Sequence, residues 1–403
     1  MVFCCFSNVV SKMDEKLKVV FFVSNYPSAN NQISGIFFKR IAEGLVKFYD
    51  IDIIVIAPRP YTNVFIEFFL KSKKGNSLFP AFELNNGVKI YRPFYFKLPF
   101  AQKLKLSHFF LYPVVSKIIK SIKPNIIDFR TSYPTYPFSS VITKLYDTLN
   151  IPFIYTINGS HGFPVVADKS IEEFQKMLKK AARIQSVSKE YGLYLEHLSQ
   201  KNCHLTVHPI DSNKIDSFDT REVLRAKFKL SPEKKYMLFV GELTITKGVD
   251  TLLKIYVDGL SEISELILIG DGPLFNAVFH EKIHFLGKLD NLTVLQYMKS
   301  CDLFVFLSRS EGMPNVLKEA GLLKIPILAN RVGGIPQLLG EGIRGFMIES
   351  QSDNEIINTI KYIFSNPDLA KKKSLKLYSY IKEEYNLDIV CKSLYNIYIN
   401  IQL

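Results

Sequence analysis

The chain has 403 residues, 47% of them hydrophobic and 22% charged, which implies a globular protein of about two domains and excludes a disordered or fibrous one. Five cysteines, odd in number and scattered, exclude a disulfide framework and a paired-cysteine zinc site, and they suit a reducing cytosol. The net charge of +13 lies almost wholly in the first half, leaving residues 201–403 nearly balanced.

No stretch reaches the roughly 18 uninterrupted apolar residues a membrane span needs. The apolar part of MVFCCFSNVVSK (1–12) is too short for a secretory leader. Met13, directly ahead of DEKLKVVFFVSNY, is an alternative start, so residues 1–12 are set aside from the fold. KVVFFVS (18–24) is a continuous β-rich run, followed by a loop and by GIFFKRIAEGLVKFY with helical spacing. DIDIIVIAP (50–58) and VKIYRPF then read as strands, 114–122 as a helix, and NIIDFRT, IPFIYTINGS (151–160), RIQSVS and HLTVHPI as strands. Strands without polar alternation, separated by helices, predict a parallel sheet covered on both faces.

An acid-free span from 84 to 127 carries Lys89, Arg92 and six lysines from Lys97 to Lys123, interleaved with Phe, Tyr and Leu. That composition suits an anionic membrane surface. An amphipathic helix with a solvated basic face is the alternative. Nucleic acid is the weakest reading, because no recognition motif accompanies the charge.

The alternation restarts after LSPEKK (230–235). YMLFVGEL, ELILIGDGP, IHFLGKL, DLFVFLS and IPILANRVGG read as strands with helices between them. The expected organisation is an α/β chain with a domain over 13–210, a second over 211–385, and a last helix over 386–403 returning to the first. Both domains are doubly wound and face one cleft.

Several strands of the second domain end in glycine-rich corners. FVGELTITKGVDTLL (239–253) passes from strand through Gly241 to Lys247-Gly at a helix entry, where a cation and free backbone N–H groups suit a phosphate. LIGDGP and VGGIPQLL repeat the pattern, which suggests a nucleotide-sized crevice. In SRSEGMPNVLKEA (308–320), Glu319 on a helix is placed to accept hydrogen bonds from ribose hydroxyls, and Glu311 lies towards the far end of a pyrophosphate. In the first domain, Gly35 in SGIFFKR opens a helix where backbone can approach a ligand. His161 in NGSHGF stands on a strand-end loop, a position that suits function as well as plain surface exposure.

With these segments in order, the chain resembles the retaining nucleotide-sugar glycosyltransferases of GT-B architecture, family 4 ("group 1"). EGMPNVLKE matches that family's E-x7-E signature, and FVGELTITKGVDTLL, LIGDGP, FLGKL, VGGIP and SGIFFKRIAEGL fall in its order over about 17–385. The resemblance implies that Glu319 binds the ribose, and that Glu311 with the backbone of Gly312, Met313, Pro314, Asn315 and Val316 holds the sugar and phosphates. It further implies that Lys247 neutralises the leaving diphosphate near Gly241, and that Gly35 lets a loop close over it. No cofactor and no essential metal are implied.

Three positions depart from the pattern. Glu242 stands where the family has Arg, Asn158-Gly159 where it has His-Gly, and Gln337 ends VGGIPQ where it has Glu. Asn158 is the residue expected near the reacting sugar, with His161 the alternative. The activity expected is transfer from a UDP- or GDP-sugar to a glycan or lipid-linked hydroxyl, as in cell-surface polysaccharide assembly, by a cytoplasmic protein that can sit on the inner face of the membrane. A non-catalytic nucleotide-sugar or glycan binder and a UDP-sugar 2-epimerase are the competing readings. A glycosidase pair of Glu311 and Glu319 is disfavoured, since both lie beside phosphate-type loops on one domain edge.

Overall fold

The computed structural model describes residues 16–28, 35–61, 81–96, 107–131, 138–158, 168–210, 215, 218–349 and 352–402. The chain divides into two compact units, Met1–Val187 with Tyr191–Pro209 and Leu387–Leu403, and Ser188–Glu190 with Ile210–Asn386.

The first unit opens with β1 (Leu17–Val23), α1 (Ile36–Phe48), β2 (Ile51–Ile56), β3 (Arg59–Tyr61), β4 (Phe82–Asn85), β5 (Val88–Tyr91) and β6 (Phe94–Phe96). It continues with α2 (Ser107–Ile122), β7 (Ile126–Thr131), α3 (Phe138–Leu149), β8 (Phe153–Ile157), α4 (Asp168–Lys180), β9 (Arg183–Ser186), α5 (Lys189–Ser199) and β10 (Cys203–Leu205). Eight of these strands form one sheet in the order β10-β9-β8-β7-β1-β2-β5-β4, parallel except for β4 on β5. The run LKVVFFV shows why no polar alternation is visible. Val20 and Phe22 point into a cluster with Leu111, Val115 and Val141, while Val19, Phe21 and Val23 point into another with Phe38, Ile41 and Leu394. Successive side chains alternate between faces, and both faces are core.

The second unit comprises α6 (Arg221–Lys227), β11 (Tyr236–Val240), α7 (Val249–Gly259), β12 (Glu265–Ile269), β13 (Ile283–Phe285), α8 (Asn291–Ser300) and β14 (Leu303–Phe306). After these come α9 (Asn315–Leu322), β15 (Ile327–Asn330), α10 (Ile335–Leu339), β16 (Phe346–Ile348), α11 (Asp353–Ser365) and α12 (Pro367–Glu384). Its six-stranded sheet runs β13-β12-β11-β14-β15-β16 and is parallel throughout. From β11 the chain winds outward to β13, then returns to β11's other side for β14. The gap between β11 and β14 is therefore the topological switch point of this sheet. In the first sheet the corresponding point lies between β1 and β7. Two doubly wound Rossmann-like sheets are thus present, as the alternation in the sequence predicts.

The last helix, α13 (Leu387–Gln402), belongs to the first unit. It packs closely on α1, where a Cβ on Gly44 would lie 2.8 Å from Cys391 Sγ. Beneath it sits a fully buried ionic cluster. Asp128 Oδ2 accepts from Arg130 Nε at 2.9 Å, from Arg130 Nη2 at 2.7 Å and from the Tyr398 hydroxyl at 2.5 Å. The Arg130 guanidinium also lies 5.1 Å from the centre of the Phe21 ring.

Candidate functional site

The loops that follow β11 and β14 meet at the switch point of the second sheet. Lys247, from the first loop, donates from Nζ to Glu311 Oε1 of the second at 2.6 Å. Glu311 is only 6% exposed, so this carboxylate relies on a fixed counter-charge rather than on water. Arg309 laces the same two loops together. Its backbone N–H donates to Thr246 O at 2.9 Å, and its guanidinium donates to both carboxylate oxygens of Asp250, at 3.0 and 2.8 Å, and to Ile245 O. Burial pushes the Asp250 carboxyl up, but the Arg309 hydrogen bonds and helix N–H groups outweigh it and hold the group below its ordinary value.

Close backbone approaches explain the glycines. Gly248 begins α7 with a φ of 71°, and a Cβ there would stand 2.0 Å from Leu307 O. At Gly333 a Cβ would stand 1.7 Å from Glu311 O, and Gly334 N donates to Gly312 O at 2.6 Å. The VGGIP corner after β15 is therefore the clamp that presses the Glu311–Gly312 backbone into place, a job no residue with a side chain can do. On its other side, the buried Tyr385 hydroxyl contacts Met313 Sδ at 3.9 Å, and Lys318 Nζ lies 5.2 Å from the centre of that ring. Burial raises the Tyr385 phenol well above its ordinary value, so it stays a neutral donor.

Three helices, α7, α9 and α10, begin at this sheet edge, with Gly248, Pro314 and Gly334 as N-caps and no side-chain cap on any of them. The first N–H of α7, on Val249, bonds Thr244 O at 3.3 Å, that of α10, on Ile335, bonds Val332 O at 3.1 Å, and Pro336 has none. The other first-turn N–H groups have no intrahelical carbonyl to bond, so the edge is positive and suited to an anion. Asn315 and Val316 form the first turn of α9, and Glu319 follows one turn later, half-buried. Gly241 ends β11 and its N–H donates to Ile269 O at 3.0 Å.

Two departures from the family pattern acquire a physical reading. Glu242 is exposed, and Lys247 is bonded to Glu311 and not to it. Gln337 lies on α10 with a buried Oε1 that has no hydrogen-bond partner among the described residues. An ionised carboxylate in that place would cost more than the neutral amide.

In the first unit, Gly35 is the left-handed N-cap of α1, with a φ of 75°. Asn158 directly follows β8 and is 8% exposed. His208, three residues beyond β10 and 2% exposed, places Nε2 2.6 Å from Asn158 Oδ1. Its ring stacks on Phe37 at 4.0 Å, with the two planes 15° apart. His161 lies outside the described residues. His208, Phe37, Arg309 and Tyr385 were not singled out from sequence. HLTVHPI read only as a strand, and nothing local marks which of its residues turns towards the strand-end loop. Among the described residues, no group of three or more His, Cys, Asp or Glu is placed to hold a metal ion.

Residues 220–383 match the family described as Glycosyl transferases group 1. The chain is 26% identical over 330 residues, covering 81% of it and 84% of the relative, to the protein of Bacillus subtilis (strain 168) named "Putative teichuronic acid biosynthesis glycosyltransferase TuaC". It is 24% identical over 187 residues, 44% of it and 49% of the relative, to N-acetyl-alpha-D-glucosaminyl L-malate synthase of Bacillus anthracis. Among solved structures, sucrose-phosphate synthase of Thermosynechococcus elongatus aligns with a TM-score of 0.75 at 16% identity, over 96% of this chain and 99% of that one. HepE of Anabaena, solved in complex with UDP, aligns with a TM-score of 0.71 at 14% identity, over 95% and 100%. The match over 220–383, relatives that are named glycosyltransferases, and the two doubly wound units together show a glycosyltransferase with the GT-B fold.

Proposed function

We propose that the chain transfers a sugar from a UDP- or GDP-linked donor to a hydroxyl of a glycan or lipid-linked acceptor, with retention of anomeric configuration, in cell-surface polysaccharide assembly. The observation that carries this reading is the Lys247–Glu311 pair at the switch point, on the sheet edge where three helices begin without side-chain caps. Before a ligand binds, Glu311 holds the lysine charge in place. An arriving diphosphate then shares Lys247 and takes up the helix N–H groups, and the sugar is left beside the Glu311 carboxylate. Charge developing on the leaving phosphate meets groups already oriented for it, which is how such a site lowers a barrier. The same groups make an essential metal unnecessary, and the leaving phosphate itself serves to take the acceptor's proton. Glu319, one turn into α9, takes the ribose hydroxyls. The relatives in teichuronic acid and glucosaminyl malate synthesis support a glycoconjugate product.

The test is thermal stabilisation by UDP, GDP, ADP and their sugar conjugates in EDTA, beside Glu319→Ala. At 100 times its Kd a ligand adds about 2.7 kcal/mol to the folded state. One nucleotide class is expected to raise Tm, with the rise largely abolished in Glu319→Ala. No rise with any nucleotide at millimolar concentration refutes the reading.

The acceptor side is read as working at an anionic membrane surface. No helix among the described residues is long and apolar enough to cross a membrane. Helix α2 nevertheless exposes Phe109, Phe110 and Val114 in front of the exposed Lys117 and Lys120. Apolar wedges beside lysines bind interfaces through buried area and lipid charge together. The protein is expected to float with vesicles containing phosphatidylglycerol and not with pure phosphatidylcholine. Replacing Lys117 and Lys120 by Glu should weaken that binding about tenfold or more, and equal flotation with both lipids counts against the proposal.

A further inference from the structure

We infer that the second unit carries a separate site for a small organic phosphate, in a cavity at the sheet edge opposite the Lys247–Glu311 pair, with Arg221, Lys235, Lys324 and Lys371 as its cationic walls. The inference goes beyond the proposed function and does not depend on it.

The six strands of the second sheet run parallel, so their amino ends share one edge. The loops that carry Lys247 and Glu311 lie at the other edge, roughly 15 Å away along the strands. At the amino-end edge there is a cavity of about 410 Å³, a volume usual for a small-ligand site. Lys235, Asp302 and Pro326, which directly precede β11, β14 and β15, form its floor. Ile363 and Phe364, from the end of α11, give it an apolar wall, and Lys371 on α12 closes another side. Lys324, just past α9, has a left-handed backbone with a φ of 60°, and its Nζ lies 4.3 Å from the centre of the Tyr378 ring on α12.

Among the described residues of the lining, Asp302 is the one acid, and it is already saturated. Its Oδ2 accepts from Arg225 Nη2 at 2.7 Å and from the Tyr236 backbone N–H at 2.8 Å. Its Oδ1 accepts from Arg221 Nη2 at 2.5 Å, with Lys235 Nζ 3.9 Å away. Arg225 is tied into the fold, donating also to Ser300 O and Pro232 O, and it balances the Asp302 charge by itself. The four wall cations are therefore a local surplus, although residues 201–403 as a whole are nearly balanced. Like charges gathered around a hollow with an apolar wall focus a positive field into it, and an anion of more than one charge relieves their repulsion. A phosphomonoester answers that need, since its oxygens accept from a guanidinium and from ammonium groups together. An organic body on the phosphate suits Ile363 and Phe364. Such a ligand is not a reactant, because the groups assigned to the transfer stand at the opposite edge.

The experiment titrates the full chain calorimetrically with glucose 6-phosphate, with monomeric dihexanoyl phosphatidic acid and with glucose. Binding of at least one phosphate is expected, and none of glucose. The tighter of the two phosphates tells whether the site takes a soluble sugar phosphate or the phosphate end of a lipid. Lys324→Ala combined with Lys371→Ala should weaken phosphate binding about tenfold or more. Both lysines are exposed, so Tm should not change. If that pair fails to fold, Lys235→Gln, at a third exposed wall position, takes its place. Lys247→Met, at the far edge, should bind the phosphates within about twofold of the natural chain, as expected for a distant, independent position. Three results overturn the inference: no binding of either phosphate, binding that survives the paired lysine change, or binding weakened as much by Lys247→Met, which would put the phosphate at the donor edge. None of the three touches the proposed function, whose test is nucleotide binding.

Discussion

Lys247→Met should slow nucleotide release from the sugar donor by about 100- to 1,000-fold, the loss that follows removal of one pre-oriented electrostatic group from a reacting centre. The same change takes a counter-charge away from Glu311, which is 6% exposed and bonded to Lys247 at 2.6 Å, so Tm should fall as well. The two effects separate in the double variant. Lys247→Met with Glu311→Gln neutralises the buried carboxylate as well and should recover stability, yet remain at least as slow as Lys247→Met alone. Lys247→Arg should keep the fold and lose much of the rate, since a planar guanidinium does not reproduce a compact ammonium. Calorimetry and a nucleotide-release assay on the four proteins decide the matter. Full activity in the double variant would remove Lys247 from the diphosphate site.

Arg130→Leu should destabilise the first unit by about 3–5 kcal/mol, the usual consequence of leaving a buried carboxylate without its partner. Asp128 Oδ2 would keep only the Tyr398 hydroxyl of the three donors it now has. The cluster is not fully satisfied even now, because Asp128 Oδ1 and Arg130 Nη1 have no hydrogen-bond partner among the described residues. Replacing all three residues together, with Asp128→Leu, Arg130→Met and Tyr398→Phe, is therefore expected to be near neutral or stabilising. Chemical denaturation followed by a probe on α13 gives both numbers. A single Arg130→Leu variant within 1 kcal/mol of the natural chain would show that the cluster is solvated in practice and does not anchor the last helix. Its site at the α13 interface, rather than at a ligand edge, makes it a test of architecture independent of the site.

The elements that could be read in advance are those whose cause is local. KVVFFVS and DLFVFL announce strands because β-branched and aromatic runs suit a sheet buried on both faces. The glycine corners announce themselves because only glycine allows such close backbone contact. Another local signal is turn chemistry. FELNNGVKIY is a β4–β5 hairpin turning on Asn86-Gly87, both with positive φ, the usual chemistry of a two-residue turn. By contrast, Lys247 and Glu311 lie 64 residues apart, Asn158 and His208 lie 50 apart, and Asp128 meets Tyr398 across 270. No spacing rule links such pairs. Two doubly wound units and a glycine-lined sheet edge were legible in the residues alone, since propensity, periodicity and turn chemistry act within a few residues. Only the tertiary structure decided that Lys247 pairs with Glu311 and not Glu242, that the clamp on Glu311 comes from Gly333, and that His208 stands beside Asn158. Those choices follow from strand order, which brings loops together at a sheet edge according to how the sheet is wound and not to how the chain is numbered.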